Sequence, residues 1–396
     1  MPAWQFNTII FMKIALIRKE YDQLRGGAER YAVNLARGLA DAGHEVHVFA
    51  GLGEHEDRSG ITMHRVPFIK RPSPLKNFSF QRNSRRLVAA QSFDIVQGLS
   101  QVFPGDVYRV GEPLHIHWLY LSVSSPVKRF LKYFSPRHRV LLSIERNIFL
   151  PGSYRRIMVN SRMSGAQVRH YYGVPEEKIS IVRNGVDTAQ FNPNDSGRMR
   201  IASRSRLGLS EADTVLLFAG NDFKRKGLQF ALQYAIALKA KGHRVKLLVA
   251  GRGNPAPFLR MARQRCFENG MLFLGSLPDM REAYHCADLL VHPALYEPFG
   301  NVCLEAMACG LPVATTSLNG ASEIIDNGTS GIVTDAPWEI EAMTAGIAKA
   351  LERNRLGLTE MGARAAQRAA EFPIERTVDE ALSLYAEVLA QKGRAS

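Results

Sequence analysis

Cysteine is scarce: Cys266, Cys286, Cys303 and Cys309 are the only four in 396 residues. They are too few and too scattered for a disulfide framework, and none forms a CxxC metal or redox spacing, so a reducing, cytoplasmic compartment is expected. No run approaches the about 18–20 apolar residues that a spanning helix needs, and the start lacks a basic stretch followed by a small-residue cleavage site. A soluble or peripheral protein is therefore expected. No GxGxxG follows the first strand-like run, which removes the usual support for an NAD enzyme or a plain nucleotide-binding module. No pyridoxal-lysine signature stands out for a phosphorylase, and low-complexity tracts are absent.

Basic residues are plentiful: 51 Lys and Arg against 37 Asp and Glu give a formal charge of +14, and 46% of the chain is hydrophobic. Such a surface attracts phosphates, nucleic acid or an anionic membrane. The length favours two domains.

Apolar patterning predicts a parallel α/β sheet. Lys13 to Arg18 reads as a strand, Gly26-Gly27 as a turn, Ala28 to Gly43 as an amphipathic helix and Glu45 to Ala50 as a second strand. Further strands are expected at Ile61 to Val66, Asp94 to Gln97 and Ile157 to Val159, with a helix capped by Ser161 running to Tyr172. A second alternation covers Thr214 to Ala219, helix Leu228 to Lys241, Val245 to Ala250 and Met271 to Leu274. Between them, Asn194 to Ser205 reads as a polar linker. The expected domains are 1–187, 188–373 and a last helix from 374 within 374–396. Translation is expected to begin at Met12, leaving 1–11 as an extension.

The longest motif runs from His292-Pro-Ala-Leu-Tyr-Glu-Pro-Phe-Gly to Ala308-Cys-Gly-Leu-Pro and places Glu297 and Glu305 eight positions apart. A strand ending at His292 would feed a loop and then a helix beginning near Phe299, Gly300, Asn301 and Val302. The free N–H groups of that helix start suit an anion such as a diphosphate. Glu305, more than one turn in, can accept from ribose hydroxyls, and Glu297 can face a sugar; otherwise both are surface charges near a helix start. Lys224, Arg225 and Lys226 precede another helix, where cations oppose the dipole and call for an anionic ligand.

This motif resembles that of glycosyltransferase family 4, retaining enzymes of the GT-B fold. Within the family the chain is most similar to the lipopolysaccharide core glucosyltransferase I group, through Phe218-Ala-Gly-Asn-Asp-Phe-Lys-Arg-Lys-Gly, Asp106-Val-Tyr-Arg, Ile144-Glu-Arg-Asn-Ile-Phe and Leu290-Val-His-Pro-Ala. The resemblance implies two Rossmann-like domains facing across a cleft, the last helix packing back on the N-terminal, acceptor-binding domain. It also implies a UDP-sugar donor, glucose favoured, in the C-terminal domain, with Arg225 and Lys226 on the diphosphate and no metal or other cofactor. Gly26 and Gly27 match the family's glycine turn, or form an ordinary tight turn. Tyr31 stands where the group shows an aspartate, and Glu112 where it shows another. Glu112, His115 and His117 are candidates for contacting the acceptor hydroxyl or the sugar, each histidine alternatively being structural. Glu323 could contact the donor or serve as a helix-start acid.

Trp118 to Arg139 interleaves aromatics with Lys128, Arg129, Lys132, Arg137 and Arg139, and Lys70, Arg71, Lys76, Arg82, Arg85 and Arg86 add to the same half. The mixture suits an anionic lipid interface, so a lipid-linked glycan acceptor at the cytoplasmic face of the inner membrane is expected. No RRM, KH or helix-turn-helix pattern is present, and no nucleic-acid partner is expected. The alternatives are another family 4 transferase with a different donor or acceptor, a nucleotide-sugar epimerase, or a non-enzymatic nucleotide-binding module.

Overall fold

The computed structural model describes residues 11–23, 26–53, 58–102, 104–122, 125–194, 196–352 and 356–393. Nearly all of the extension expected at 1–11 lies outside them, as do the side chains of Lys128 and Arg129. The described chain forms two compact units, one drawn from 1–160, 164–182 and 374–396 and the other from 161–163 and 183–373.

The first unit holds seven strands: β1 Lys13–Tyr21, β2 Glu45–Gly53, β3 Ile61–Arg65, β4 Ile95–Gly98, β5 Val107–Val110, β6 Arg156–Val159 and β7 Ile179–Ile181. Their order is β3-β2-β1-β4-β5-β6-β7, every pairing parallel. The run from Ile14 to Ile17 in β1 is buried throughout, as a parallel sheet covered on both faces requires. Helix Gly27–Asp41 turns Tyr31, Leu35 and Leu39 inward, and helix Ile374–Gly393 joins the same core through Val378, Leu384, Tyr385 and Val388. That last helix is bound to the sheet by polar contacts also: the Tyr385 hydroxyl donates to Gln97 Oε1 in the central strand β4 and Lys392 Nζ donates to Asp106 Oδ2 at 2.8 Å. On the opposite face, helix Ser73–Ala89 packs Phe80 and Val88 against Ile17, Phe49 and Val66.

The second unit holds six parallel strands: β8 Thr214–Ala219, β9 Val245–Ala250, β10 Met271–Gly275, β11 Leu289–His292, β12 Val313–Thr316 and β13 Gly331–Thr334. Their order is β10-β9-β8-β11-β12-β13. Both sheets are thus doubly wound, with strand order reversing beside β1 and β4 in one and beside β8 and β11 in the other. Ligands of such sheets gather beyond the strands' carboxyl ends at that reversal.

The expected linker at Asn194 to Ser205 is corrected by the structure: helix Ser196–Arg206 occupies most of it. Composition misleads here because two of the polar side chains, Ser203 and Arg204, are buried. Arg204 is 1% exposed; its Nε donates to Cys286 O at 3.1 Å and its Nη2 to Asp288 Oδ2 at 2.8 Å.

Candidate functional site

In the second unit, β8 and β11 end side by side at Ala219 and His292, and each feeds a loop. The loops are tied together where Leu295 N donates to Arg225 O at 3.0 Å. Gly227 ends the first loop at φ +81°, and a Cβ there would lie 1.8 Å from Pro293 O, so only glycine permits this approach. Asp222 sits in the left-handed region at φ 58° and accepts from Arg225 N at 3.4 Å, bracing the same turn.

This bracing delivers Arg225 and Lys226 to Glu297. Arg225 Nη1 donates to Glu297 Oε2 at 3.1 Å, and Lys226 Nζ donates to the same oxygen. The second loop is held by Glu297 N donating to Leu318 O at 3.0 Å and Gly320 N to Glu297 O at 2.9 Å. Burial alone would raise the Glu297 carboxyl, but Lys226 and then Arg225 outweigh it and hold it at about 2. Beneath them His292 is fully buried, and burial, then the Lys226 charge, pushes its imidazole down to about 3. The centre therefore carries one carboxylate, two cations and a neutral histidine at physiological pH. An ammonium has three donors, so Lys226 can hold Glu297 and a second anion together.

The next helix is Asn301–Ala308, begun by Gly300 at φ +76°. A Cβ on Gly300 would meet Asn319 Oδ1 at 2.8 Å. Phe299 is 1% exposed and belongs to the core, so its side chain is not a ligand contact; what it and Gly300 present is backbone. Val302 packs partly on that core, and Asn301 Oδ1 accepts from Asn184 Nδ2 at 2.6 Å. Glu305 is buried and accepts from the Tyr284 hydroxyl at 2.8 Å. Glu323 lies in the short turn Gly320–Ile324 and accepts from Arg183 Nη2 at 3.2 Å.

In the first unit, Gly26 begins helix Gly27–Asp41 at φ −173°, an extended conformation open to any residue. A Cβ there would meet the Glu29 carboxylate at 2.7 Å. Glu112, just past β5, is half exposed. Arg18 Nη2 donates to Glu112 Oε1 at 2.7 Å and to Glu29 Oε1 at 2.6 Å, while Nη1 donates to Leu99 O at 2.6 Å. Tyr31 is buried, with the Arg109 guanidinium stacked 3.4 Å from its ring centroid.

His115 and His117 lie away from that cluster, in helix His115–Ser122. His115 Nε2 meets His138 Nδ1 at 2.9 Å, and burial, followed by His138 and Arg137, pushes it down to about 4. His117 Nδ1 meets the Tyr171 hydroxyl at 3.0 Å and its Nε2 meets Gln167 at 3.3 Å. The helix start is capped by Glu145, which is buried and accepts from His115 N, from Ile116 N at 3.1 Å and from the Tyr172 hydroxyl. Sequence reasoning passed over Arg18, Glu29, Glu145 and Asn319. For Arg18 the available signal was a cation closing an apolar strand at its carboxyl end.

Comparison with known proteins adds to this geometry. Residues 199–372 match the family model described as glycosyl transferases group 1, and residues 25–190 the one described as glycosyltransferase family 4. A probable transglycosylase of Burkholderia thailandensis is 30% identical over 93% of this chain and 95% of its own. The lipopolysaccharide glucosyltransferase WaaG of Escherichia coli is 26% identical over 84% of this chain and 87% of its own. A solved WaaG structure superposes with a TM-score of 0.79 at 24% identity, covering 94% of this chain and 99% of that one. Anabaena HepE, solved with UDP and glucose, superposes with a TM-score of 0.69 at 19% identity, covering 94% of this chain and 99% of that one. The doubly wound sheets, the motif around Glu297 and these matches over both units lead to one identification: the chain belongs to the group 1, family 4 glycosyltransferases of GT-B fold.

Proposed function

We propose that this glycosyltransferase moves a hexose, glucose favoured, from a UDP-sugar to a lipid-linked glycan such as the lipopolysaccharide inner core, with retention and without a metal. The observation that carries the reading is the pairing of Lys226 and Arg225 with Glu297 at the β8/β11 reversal. Two cations beside a helix start form an electrostatic seat for a diphosphate whose charge grows as the sugar leaves. Glu297 faces the sugar, and Glu305 the ribose. The acceptor hydroxyl attacks the anomeric carbon as the bond to phosphate breaks, and its proton passes to the departing phosphate on the same face. No protein nucleophile is invoked. Glu112, oriented by Arg18, contacts the acceptor hydroxyl or the sugar. The named activity of WaaG and the UDP and glucose held by HepE support this donor and acceptor class.

Calorimetry without metal against UDP-glucose, UDP-galactose, UDP-N-acetylglucosamine, ADP-glucose and GDP-mannose tests the donor. Preference for UDP-glucose is expected; preference for an ADP- or GDP-sugar, or no binding, overturns it.

The acceptor's membrane is approached by the first unit. Val127, Phe130, Leu131 and Phe134 are 60–69% exposed, in and just after helix Pro126–Tyr133, with Lys132, Arg137 and Arg139 exposed beside them. Apolar side chains next to cations favour an anionic interface. Flotation with vesicles containing phosphatidylglycerol is expected to recover the protein, and the Phe130→Ser/Phe134→Ser variant to bind about ten-fold more weakly. Equal recovery on phosphatidylcholine vesicles, or unchanged binding by the variant, would refute the membrane reading. No helix among the described residues is long and apolar enough to cross a membrane.

A further inference from the structure

The first unit has a second concavity, on the side of the sheet opposite Glu112. The described part of the connection between β4 and β5 contains no helix, and helix Ser73–Ala89 lines that stretch through Arg85, Val88 and Ala89. What remains is a cavity of about 760 Å³. That lies within the size range of small-molecule sites, about 300–1,000 Å³. Its place in the fold follows from its walls. Arg156 opens β6, Lys178 immediately precedes β7 and Asp106 immediately precedes β5, so it opens at the amino edge of the parallel strands. Arg18 and Glu112 belong to the carboxyl edge.

Arg85, Arg155, Arg156 and Lys178 line this cavity, and Asp106 is the one acid among its described lining residues. That acid is already committed: Asp106 Oδ2 accepts from Lys392 Nζ at 2.8 Å and from Val96 N at 2.9 Å. The lining cations are correspondingly under-neutralised. Arg155 reaches Asp106 Oδ1 only at 3.4 Å, and Arg156 reaches Glu387 at 3.6 Å. Lys178 lies 5.6 Å from the Tyr154 ring centroid, and no ion pair is found for Arg85 among the described residues. Below the cations, Ile17, Val88, Val96 and Val102 form an apolar floor. Among the described lining residues the one aromatic ring is that of Tyr154.

We infer that this cavity is a binding site for an anionic amphiphile, a phosphate group held among Arg85, Arg155, Arg156 and Lys178 with its hydrocarbon on the valine and isoleucine floor. Clustered guanidinium and ammonium groups hold a phosphate by charge-assisted hydrogen bonds. A hydrocarbon chain that leaves water for this apolar lining adds the hydrophobic part. The site is independent of the donor reading, because it uses none of its residues.

Calorimetric titration of the full chain with dihexanoyl phosphatidic acid, held below its micelle concentration, tests the inference. Glycerol 3-phosphate and dihexanoyl phosphatidylcholine separate the headgroup and the tail. Saturable binding of the phosphatidic acid is expected, at least about ten-fold tighter than either control. The Arg85→Glu/Lys178→Glu variant, altered at two positions outside the core, is expected to lose at least about ten-fold in affinity at an unchanged melting temperature. No saturable binding, equal affinity for glycerol 3-phosphate, or full binding by the variant each overturns the assignment. If the double variant does not fold, Arg85→Gln alone, at an exposed position, is read by the same titration.

Discussion

Lys226→Ala is expected to lower kcat/KM for sugar transfer by about 10²–10³-fold, the usual cost of removing one preorganised charge that stabilises a transition state. Two effects combine. The departing diphosphate loses its ammonium, and Glu297 is left with Arg225 Nη1 at 3.1 Å as its main offset to burial. The second effect raises the Glu297 pKa from about 2, so the acid limb of the pH profile should move upward in the variant. Glu297→Ala should also cut transfer, but the double variant should lose far less than the product of the two single losses, because the residues act as a unit. Steady-state kinetics with the preferred donor, alongside circular dichroism to confirm folding, measures all three. Full activity in Lys226→Ala or Glu297→Ala would remove the centre from the reaction.

How much of this centre the sequence disclosed depends on how local each feature is. The loop and helix around Glu297 were legible because strand, turn and helix start follow one another within about a dozen residues, and Gly300 marks the turn. The contact between Lys226 and Glu297 spans 71 residues and left no mark in spacing; the family resemblance implied only that Arg225 and Lys226 hold the diphosphate. Glu305 shows the opposite case. Its depth in the helix was readable, yet the Tyr284 hydroxyl that holds it is a tertiary fact. His115 and His117 read as candidate ligands because histidine is versatile; in the fold they pair with His138 and with Tyr171 and Gln167. Glu145 gave no signal of being a cap, since the helix start it serves lies about 30 residues upstream.

The largest failure of sequence reading, the supposed linker, supplies the strongest stability prediction. Arg204 donates to Cys286 O, to Ser210 O at 3.0 Å, to Asp213 O at 3.3 Å and to Asp288 Oδ2, joining helix Ser196–Arg206 to the β11 approach and to the turn before β8. Asp288 Oδ2 in turn accepts from Val215 N at 2.7 Å. Arg204→Met keeps the bulk but leaves three carbonyls without this donor and strips a buried carboxylate of one partner. Removing one member of a buried ion pair costs about 3–5 kcal/mol. Arg200, whose Nη2 holds Asp288 Oδ1 at 2.6 Å, should keep the loss towards the lower end. In a unit of this size that corresponds to a fall in melting temperature of about 6–20 °C. Arg206→Met, two residues on from Arg204, removes an exposed pair with Glu282 and should scarcely move the melt, isolating burial from charge count. If Arg204→Met melts with the parent protein, the Arg204 hydrogen bonds do not hold the helix in place. If it melts early while Arg206→Met does not, a guanidinium satisfied from distant residues is what makes a helix of a sequence that composition assigns to coil.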